Sequence, residues 1–356
     1  MPTTGRHRLT DPIDTGPATD PADTDTMPID TAAGAVPGNA LEIRGVRKVF
    51  TSGLARRGRV VTAVDNLDLT IPAGTVHALL GPNGAGKTTT VECLAGLRHA
   101  DGGTVRLLGA DPQRDPAAVR QRLGIQLQES QLPPKLRVIE ALELYASFYA
   151  NPGDPEELLE LLGLQEKRDT AFADLSGGQQ QRLSIALALV GNPEVAILDE
   201  LTTGLDPQAR RDTWALIERV RATGVTIVLI THFMDEAERL CDRLVIIDDG
   251  RVVAEGSPAE LIRAQEGERA FRLRLPDDAP DSIPAVLAAL PDVTSVTADD
   301  GEYVVTGGHR VLPAAILALA ERDVVPEEIR TLSRSLEDVF VRVTAEHTTT
   351  MEEAVS

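Results

Sequence analysis

A glycine-rich stretch at residues 81–88 has the residue types and spacing that bind a phosphate group. It reads Gly-Pro-Asn-Gly-Ala-Gly-Lys-Thr and fits the pattern G-x-x-x-x-G-K-[ST]. Glycines let the backbone approach an anion and turn its N–H groups inward. We expect Lys87 to reach the β- and γ-phosphates of a nucleoside triphosphate and the Thr88 hydroxyl to bind Mg²⁺. The alternative, an ordinary glycine turn, does not require Lys and Thr at these two offsets.

The segments on either side of this phosphate loop (residues 81–88) agree with that interpretation. The apolar residues 76–80 predict a buried strand, and residues 87–97 predict a helix with one apolar face. A helix that begins at the loop adds about half a positive charge facing the anion. The predicted phosphate contacts are Gly81, Pro82, Asn83, Gly84, Ala85, Gly86, Lys87, Thr88 and Thr89.

Two acidic residues, Asp199 and Glu200, follow an apolar strand predicted at residues 195–198. Burying one carboxylate at a strand end is costly, and burying two requires a cation and a function. We expect Asp199 to hold Mg²⁺ through its water shell. We expect Glu200 to take a proton from the water that attacks the γ-phosphate. A strand that runs into an ordinary acidic turn is the alternative, and the phosphate loop in the same sheet disfavours it.

A second glycine pair opens the helix predicted at residues 179–190, within Leu-Ser-Gly-Gly-Gln at residues 175–179, called here the signature segment. Ser176 can cap this helix and Gln179 can complete a capping box, which is a sufficient structural reason for both. Gly177 and Gly178 also leave an anion site open at the helix start. One nucleotide does not need two phosphate sites from one chain, so the second site suits the nucleotide of another copy.

Composition limits the classes of function. The chain has 356 residues, 42% of them hydrophobic, and its net charge of -20 argues against broad nucleic-acid binding. Cys93 and Cys241 have no metal-ligand spacing and predict reduced, buried thiols of a cytosolic protein. No apolar run approaches the about 20 residues that cross a bilayer, and the N-terminus has no apolar signal core. A role at a membrane would therefore need a separate partner.

The order of predicted elements gives an α/β fold. Residues 1–40, with six Pro, eight Thr and six Asp, predict a disordered tail. Strands and helices alternate over residues 41–265, which predicts a parallel sheet covered on both faces, with a helical subdomain at about 116–190. Residues 268–345 predict a small α+β domain in the order β-α-β-β-α-β, the ferredoxin-like arrangement. Residues 346–356 predict a disordered, frayed end.

Over residues 41–265 the chain resembles the ATPase subunits of ATP-binding-cassette (ABC) transporters, whose signature sequence is Leu-Ser-Gly-Gly-Gln. The resemblance implies a P-loop NTPase fold with a RecA-like core and a helical subdomain. It implies ATP and Mg²⁺ as ligands and a homodimer in which two subunits pair head to tail. In such a dimer Ser176, Gly177, Gly178 and Gln179 would contact the γ-phosphate held by the partner.

The same resemblance assigns further roles. Gln128 corresponds to the glutamine that contacts Mg²⁺ or the attacking water, with Gln126 as a competing assignment. Asp206 corresponds to the residue that couples the two sites. His232, at the end of a predicted strand, corresponds to the histidine that contacts the γ-phosphate, and ligands bind at such strand ends. Phe50 corresponds to the aromatic residue that stacks on adenine, with core packing as the alternative.

Two features depart from the family pattern, and a third indicates a subfamily. Leu201 stands where the family usually has Pro, which should alter the local turn but removes no reacting group. The loop at residues 51–59 is longer and more basic than usual, which weakens the assignment of Phe50. Residues 335–344 resemble the closing motif of daunorubicin-resistance-type ATPases, which pair with a separate ABC-2-type permease. An amphipathic helix packed on its own domain is the alternative, and it is compatible with that resemblance.

We therefore expect a cytoplasmic ATPase subunit that energises export of a drug, antibiotic or lipid-like compound, peripheral on the inner membrane face through its permease. A non-transport ABC ATPase acting on a macromolecular complex is the alternative. It is disfavoured because no coiled-coil insertion separates Gln128 from Ser176 and because the chain has one cassette. A binding module with an inactive site is disfavoured because every reacting group is present. A simple kinase or GTPase is disfavoured by the signature segment and by the lack of an Asn-Lys-x-Asp motif.

Overall fold

The computed structural model describes residues 38–52, 59–127, 132–264, 269–276, 278–299, 302–332 and 335–355. In this part of the chain thirteen strands form three sheets and eleven α-helices pack around them. In chain order the elements are β1 (Asn39–Ser52), β2 (Arg59–Pro72), β3 (Val76–Leu80), α1 (Lys87–Leu94), β4 (Gly102–Leu107), α2 (Pro116–Arg120), β5 (Leu123–Gln126), α3 (Val138–Ala146), α4 (Pro155–Leu162), α5 (Gly177–Leu189), β6 (Val195–Asp199), α6 (Pro207–Ala222), β7 (Thr226–Ile230), α7 (Met234–Leu240), β8 (Arg243–Asp248), β9 (Arg251–Gly256), α8 (Pro258–Ala264), β10 (Arg269–Arg274), α9 (Ile283–Ala288), β11 (Val293–Asp299), β12 (Glu302–Gly307), α10 (Val311–Ala320), β13 (Glu328–Leu332) and α11 (Leu336–Val355).

The largest sheet has six strands in the order β5-β6-β7-β3-β8-β9, parallel except for β9, which is antiparallel to β8. Every residue of β3, β6 and β7 is buried. Along β3, Val76, Ala78 and Leu80 belong to one core cluster, and Leu79 belongs to another. The sheet therefore has a core on each face, as continuous apolar strands predict. This confirms the predicted α/β fold.

The second sheet is antiparallel, in the order β2-β1-β4. The sequence predicts strands at residues 41–46 and 62–71, but pairing continues along β1 from Asn39 to Ser52. The predicted tail was therefore too long by two residues, while residues 1–37 lie outside the described residues. The sheet packs on α1 through the core cluster that includes Val91 and Leu94.

The spacing of apolar residues predicts a helix over residues 116–123, but helix α2 ends at Arg120. Leu123 instead begins β5, which pairs in parallel with β6. Helix α5 also packs closely on β5, since a Cβ on Gly124 would lie 1.9 Å from the carbonyl oxygen of Ala188. Tertiary pairing has overridden the local helical pattern. The sequence also did not predict β9, α7 or α8.

One histidine is buried in the largest sheet. His77, on β3, is 1% exposed, and its Nδ1 lies 3.2 Å from the Thr75 hydroxyl. Burial lowers its pKa to about 4; the charge of Arg243 adds to this effect and that of Asp242 opposes it. His77 is therefore neutral at physiological pH. Cys93 and Cys241 are free and buried, as predicted.

The third sheet is antiparallel, in the order β11-β12-β10-β13. With α9 and α10 it forms its own core, which includes Phe271, Leu273, Leu287 and Val305. This strand order and the sequence β-α-β-β-α-β are those of the ferredoxin-like arrangement. The topology confirms that prediction. The predicted boundary near residues 265–268 lies outside the described residues.

The last helix, α11, packs on α7, α8, β8 and β9 rather than on the third sheet. Leu336 and Val339 are buried in the core cluster of the largest sheet. The Leu336 N–H donates to Glu238 Oε1 at 2.6 Å, and His347 Nδ1 lies 3.1 Å from Asp248 Oδ2. The alternative that this helix packs on its own small domain was therefore wrong. The frayed end predicted from residue 346 was also wrong, since α11 continues to Val355.

Within the described ranges, no helix is both long and apolar enough to cross a bilayer.

Candidate functional site

The carboxyl ends of β3, β6 and β7 open into one cleft of about 680 Å³. These strands are parallel neighbours, so the residues that follow them meet at the same edge of the sheet. The cleft is lined by Ala63, Gly81, Pro82, Asn83, Gly84, Gly86, Lys87, Thr88, Thr89, Asp199, Glu200, Ile230, His232 and Phe340.

The phosphate loop joins β3 to α1 under close packing. Gly86 precedes α1 in a left-handed conformation with φ of 98°, and a Cβ there would lie 2.0 Å from the backbone oxygen of Ala63. A Cβ on Gly81 would lie 2.2 Å from the backbone oxygen of Ile247. Glycine is therefore required at both positions to bring the loop against β2 and β8.

Lys87 lies inside the curl of this loop. Its ammonium donates to the Gly81 carbonyl at 2.7 Å and to the Pro82 carbonyl at 3.0 Å. Burial lowers its pKa, and the negative charges of Glu200 and Asp199 oppose that effect. The phosphate loop thus holds a buried cation that faces two carboxylates across the cleft.

Asp199 is the last residue of β6 and is 5% exposed. Burial raises the pKa of its carboxyl to about 6; the charge of Glu200 raises it further and that of Lys87 lowers it. The Asp199 N–H donates to Gln126 Oε1 at 3.2 Å, while Gln126 Nε2 donates to the Leu127 carbonyl at 2.8 Å. Gln126 is therefore buried and bound to backbone groups, where it fixes β5 to β6.

Glu200 and His232 form a close pair at the cleft. Glu200 Oε1 lies 3.4 Å from His232 Nδ1, and the Glu200 N–H donates to the Ile230 carbonyl at 2.8 Å. Glu200 has a φ of 49°, a left-handed conformation that costs a non-glycine residue about 1–2 kcal/mol. Such strain is concentrated at functional sites. The pair places a carboxylate and an imidazole within reach of one small reactant.

The departure at Leu201 removes neither member of this pair. Its side chain is 1% exposed and packs in the core of the largest sheet. The chain therefore turns at Glu200, with the Glu200 side chain in the cleft and the next side chain in the core.

The signature segment lies outside this cleft. Ser176 and Gln179 form the expected capping box: the Ser176 N–H donates to Gln179 Oε1 at 3.0 Å, and the Gln179 N–H donates to Ser176 Oγ at 3.4 Å. A Cβ on Gly177 would meet nothing within 4 Å, whereas one on Gly178 would lie 3.2 Å from the Ala209 Cβ. None of these four residues lines the cleft of its own chain.

Two further predicted residues also lie outside the cleft. Asp206 caps α6, accepting from the N–H groups of Ala209 and Gln208 at 2.9 Å each, and these bonds lower its pKa. Phe50, near the end of β1, is half-buried and belongs to no core cluster of the described residues. Its ring lies 5.0 Å from the Arg98 guanidinium.

Eight of the nine predicted phosphate contacts line the cleft, and Ala85 does not. The Ala85 side chain is 3% exposed and its carbonyl accepts from the Gly250 N–H at 3.0 Å, so it ties the loop to the β8–β9 turn. Gln128 lies outside the described residues.

Three lining residues were missed from the sequence: Ala63, Ile230 and Phe340. Ala63 and Ile230 are ordinary apolar strand residues and give no local signal. Phe340 belongs to the closing motif at residues 335–344, so the sequence drew attention to this helix without indicating its place. It reaches the cleft because α11 packs beside α7, which follows His232.

Comparison with known proteins matches this geometry to one family. The sequence profile of the family described as ABC transporter matches residues 64–203. The Nod factor export ATP-binding protein I of Ralstonia nicotianae is 38% identical over 301 residues, covering 82% of this chain and 92% of that protein. The daunorubicin/doxorubicin resistance ATP-binding protein DrrA of Streptomyces peucetius is 36% identical over 306 residues, covering 84% and 92%.

Solved structures show the same likeness. A dimeric post-hydrolysis state of the ATP-binding cassette MJ0796 with ADP and Pi has a TM-score of 0.54 at 27% identity, covering 61% of this chain and 98% of that one. The cbiO1 protein of Clostridium perfringens, part of the transporter complex cbiONQ, has a TM-score of 0.57 at 27% identity, covering 64% and 92%. With a nucleotide cleft assembled on this fold and relatives that match nearly their whole length, the chain belongs to the ABC transporter family, as an ATPase of the DrrA type.

Proposed function

We propose that this chain is the ATP-binding and hydrolysing subunit of an exporter, with Glu200 as general base and His232 as its partner at the γ-phosphate. The observation that carries the proposal is their 3.4 Å contact, in the cleft that also holds Lys87 and Asp199. A general base supplies about 10²- to 10⁴-fold in rate, or roughly 3–5 kcal/mol of barrier.

Residues 81–89 would bind the triphosphate, with Lys87 exchanging its two carbonyl contacts for phosphate oxygens. The residues fit Mg²⁺, which prefers oxygen ligands: Thr88 offers a hydroxyl and Asp199 a buried carboxylate in the same cleft. Gln128 would complete this set. The ion would neutralise charge that develops on the phosphates. Phe50 would stack on the adenine ring from outside the described cleft.

The signature segment supports action as a homodimer. Ser176 and its three neighbours lie outside the cleft of their own chain, and Gly177 is open to approach. We infer that they clamp the nucleotide held by a second copy, with Asp206 coupling the two sites. A solved cassette of similar fold is described as a dimer with ADP and Pi.

Export rests on the relatives, whose names describe Nod factor export and daunorubicin resistance. We propose a separate ABC-2-type permease as the membrane partner, a drug, antibiotic or lipid-like cargo, and a place on the cytoplasmic face of the membrane. In this scheme residues 41–265 hydrolyse ATP and residues 268–345 are an accessory domain.

The test combines two inactive variants. Lys87→Ala damages the phosphate loop and Ser176→Arg damages the signature segment, and each alone should lose ATPase activity. In a head-to-tail dimer a mixture restores one complete site, so activity should return on mixing and depend on concentration. No recovery on mixing, with turnover indifferent to dilution, would contradict the dimer.

Glu200→Gln tests the chemistry separately. The variant should bind ATP and accumulate dimers with little turnover, and near-normal turnover would reject Glu200 as the base. Co-purification from membranes with an ABC-2-type protein tests the transport role, and its absence would favour a non-transport ATPase.

A further inference from the structure

A buried carboxyl group, that of Glu236, lies behind the cleft without lining it. Glu236 is in the first turn of α7, four residues after His232, and is 1% exposed. The side chains of Thr231, Trp214 and Thr202 surround it closely enough to stabilise its charge. They come from the end of β7, from α6 and from the loop after β6, so Glu236 is where three segments converge.

This cluster holds unused hydrogen-bonding capacity. Glu236 Oε1, Thr202 Oγ1 and Trp214 Nε1 are buried and make no hydrogen bond of ordinary length within the described residues. Thr202 and Trp214 also stabilise the Glu236 charge, so these groups are one another's neighbouring polar partners at longer than ordinary distance. Burial raises the pKa of Glu236, and the neighbouring hydroxyl and indole groups oppose that effect. A carboxyl group can accept hydrogen bonds from the Thr202 hydroxyl and from the Trp214 indole N–H.

The position of the cluster relates it to the reacting pair. Thr202 is two residues after Glu200, and Thr231 directly precedes His232. The distance between the two reacting side chains thus depends on how the loop after β6 meets the end of β7. A displacement of a catalytic group by about 1 Å can lower the rate of an enzymatic reaction about 100-fold.

We propose that Glu236 is a positioning residue for ATP hydrolysis. From behind the cleft its carboxyl joins the loop after Glu200 to the strand end before His232, and so sets the distance between those side chains. This inference rests on the proposed function, in which Glu200 and His232 act at the γ-phosphate. Glu236 itself acts through these residues and contacts no nucleotide.

The chain contains a fluorescent probe of the contacts around Glu236. Trp214 is the single tryptophan of the sequence, and its indole N–H lies in the cluster. A change in the hydrogen bonding around Glu236 therefore changes the only tryptophan emission of the protein. Tryptophan fluorescence can follow the joint with and without ATP and Mg²⁺.

Three variants and a control test the proposal. Glu236→Gln keeps a donor and an acceptor, Glu236→Met keeps the length but removes both, and Thr202→Val removes only the hydroxyl. Glu218→Met is the control, because Glu218 is an exposed residue of α6 whose 3.4 Å ion pair with Arg239 is half-exposed. Such pairs contribute little to stability.

We expect Glu236→Met and Thr202→Val to lower kcat by about 10- to 100-fold while KM for ATP changes by less than about threefold, since geometry and not binding is affected. Both should shift the tryptophan emission. Glu236→Gln should restore kcat to within about threefold of wild type, and the control should match wild type in kcat. The control is compared in kcat alone, because Arg239, the ion-pair partner of Glu218, lies 5.3 Å from the Trp214 ring. The double variant of Glu236→Met and Thr202→Val should be no slower than its slower parent, because both changes break one joint.

Wild-type kcat in both Glu236→Met and Thr202→Val overturns the proposal. So does a Glu236→Gln variant as slow as Glu236→Met, because then the charge and not the hydrogen bonding matters. A loss of kcat that vanishes on cooling, in step with a lowered melting temperature, shows a purely structural role and also overturns it. If Glu236→Met does not fold, Thr202→Val decides alone, since valine fills the same volume. Normal turnover in Glu200→Gln identifies failure of the proposed function instead.

Discussion

The buried charge of Asp199 should make the nucleotide-free protein less stable than a variant that lacks it. We predict that Asp199→Asn raises the free energy of unfolding in the absence of ligand and abolishes Mg²⁺-dependent hydrolysis. Asparagine keeps the shape of the side chain and removes its charge. The stabilisation arises because the carboxylate is 5% exposed and lies near Glu200, with only Lys87 to offset the cost.

The magnitude follows from the pKa of about 6, against an ordinary value of 3.8. The folded state holds the proton more tightly than the unfolded state, so ionisation destabilises the fold. The penalty is complete above the folded pKa, decreases as pH falls through it, and vanishes below the unfolded value. Linkage gives an upper estimate of about 3 kcal/mol at pH 8 and about 1 kcal/mol at pH 4.5.

Denaturant unfolding of the ligand-free protein at these two pH values measures the difference between Asp199→Asn and wild type. Asp206→Asn is the control, because Asp206 is an exposed helix cap and asparagine caps a helix equally well. The pKa of Asp206 is lowered rather than raised, so removal of this charge should not stabilise the protein. ATP with Mg²⁺ should stabilise wild type more than Asp199→Asn, since ligands that bind only the folded state add to its stability. An Asp199→Asn variant of equal or lower stability at pH 8 would refute the reasoning.

Three further predictions use other features of the fold. The pKa of His77 is lower in the folded than in the unfolded state, so the free energy of unfolding should fall as pH drops from 6.5 towards 4. The fall should be about 2 kcal/mol between pH 7 and pH 5, and denaturant unfolding of His77→Asn should show a smaller dependence on pH. Gly86→Ala should lose ATP binding, because the added Cβ would lie 2.0 Å from a backbone oxygen. Gly109→Ala is the control, because Gly109 has a φ of 80° and nothing lies within 4 Å of an added Cβ. It should bind ATP normally and lose only about 1–2 kcal/mol of stability, the cost of a left-handed backbone for alanine. Phe340→Ala should raise KM for ATP about fivefold through loss of about 1 kcal/mol of apolar contact, and Val341→Ala, 60% exposed on the same helix, should not; equal KM values in the two would contradict a role for Phe340 in the cleft.

Much of the site was predictable because its signals are short-range. The phosphate loop requires glycines at fixed offsets, and the capping box of Ser176 and Gln179 requires only three residues of separation. The strand that ends at Asp199 is apolar up to that residue. These patterns arise from local backbone geometry, so a linear sequence contains them.

What only the tertiary structure decided involves residues far apart in the chain. The contact of Glu200 with His232 and the convergence of Thr202 and Trp214 on Glu236 depend on which strands are neighbours. The arrival of Phe340 in the cleft depends on where the last helix packs. No local pattern records such contacts, because each is selected by the burial of apolar faces over the whole sheet. The sequence therefore determined which groups are available for chemistry, and long-range packing determined which of them meet.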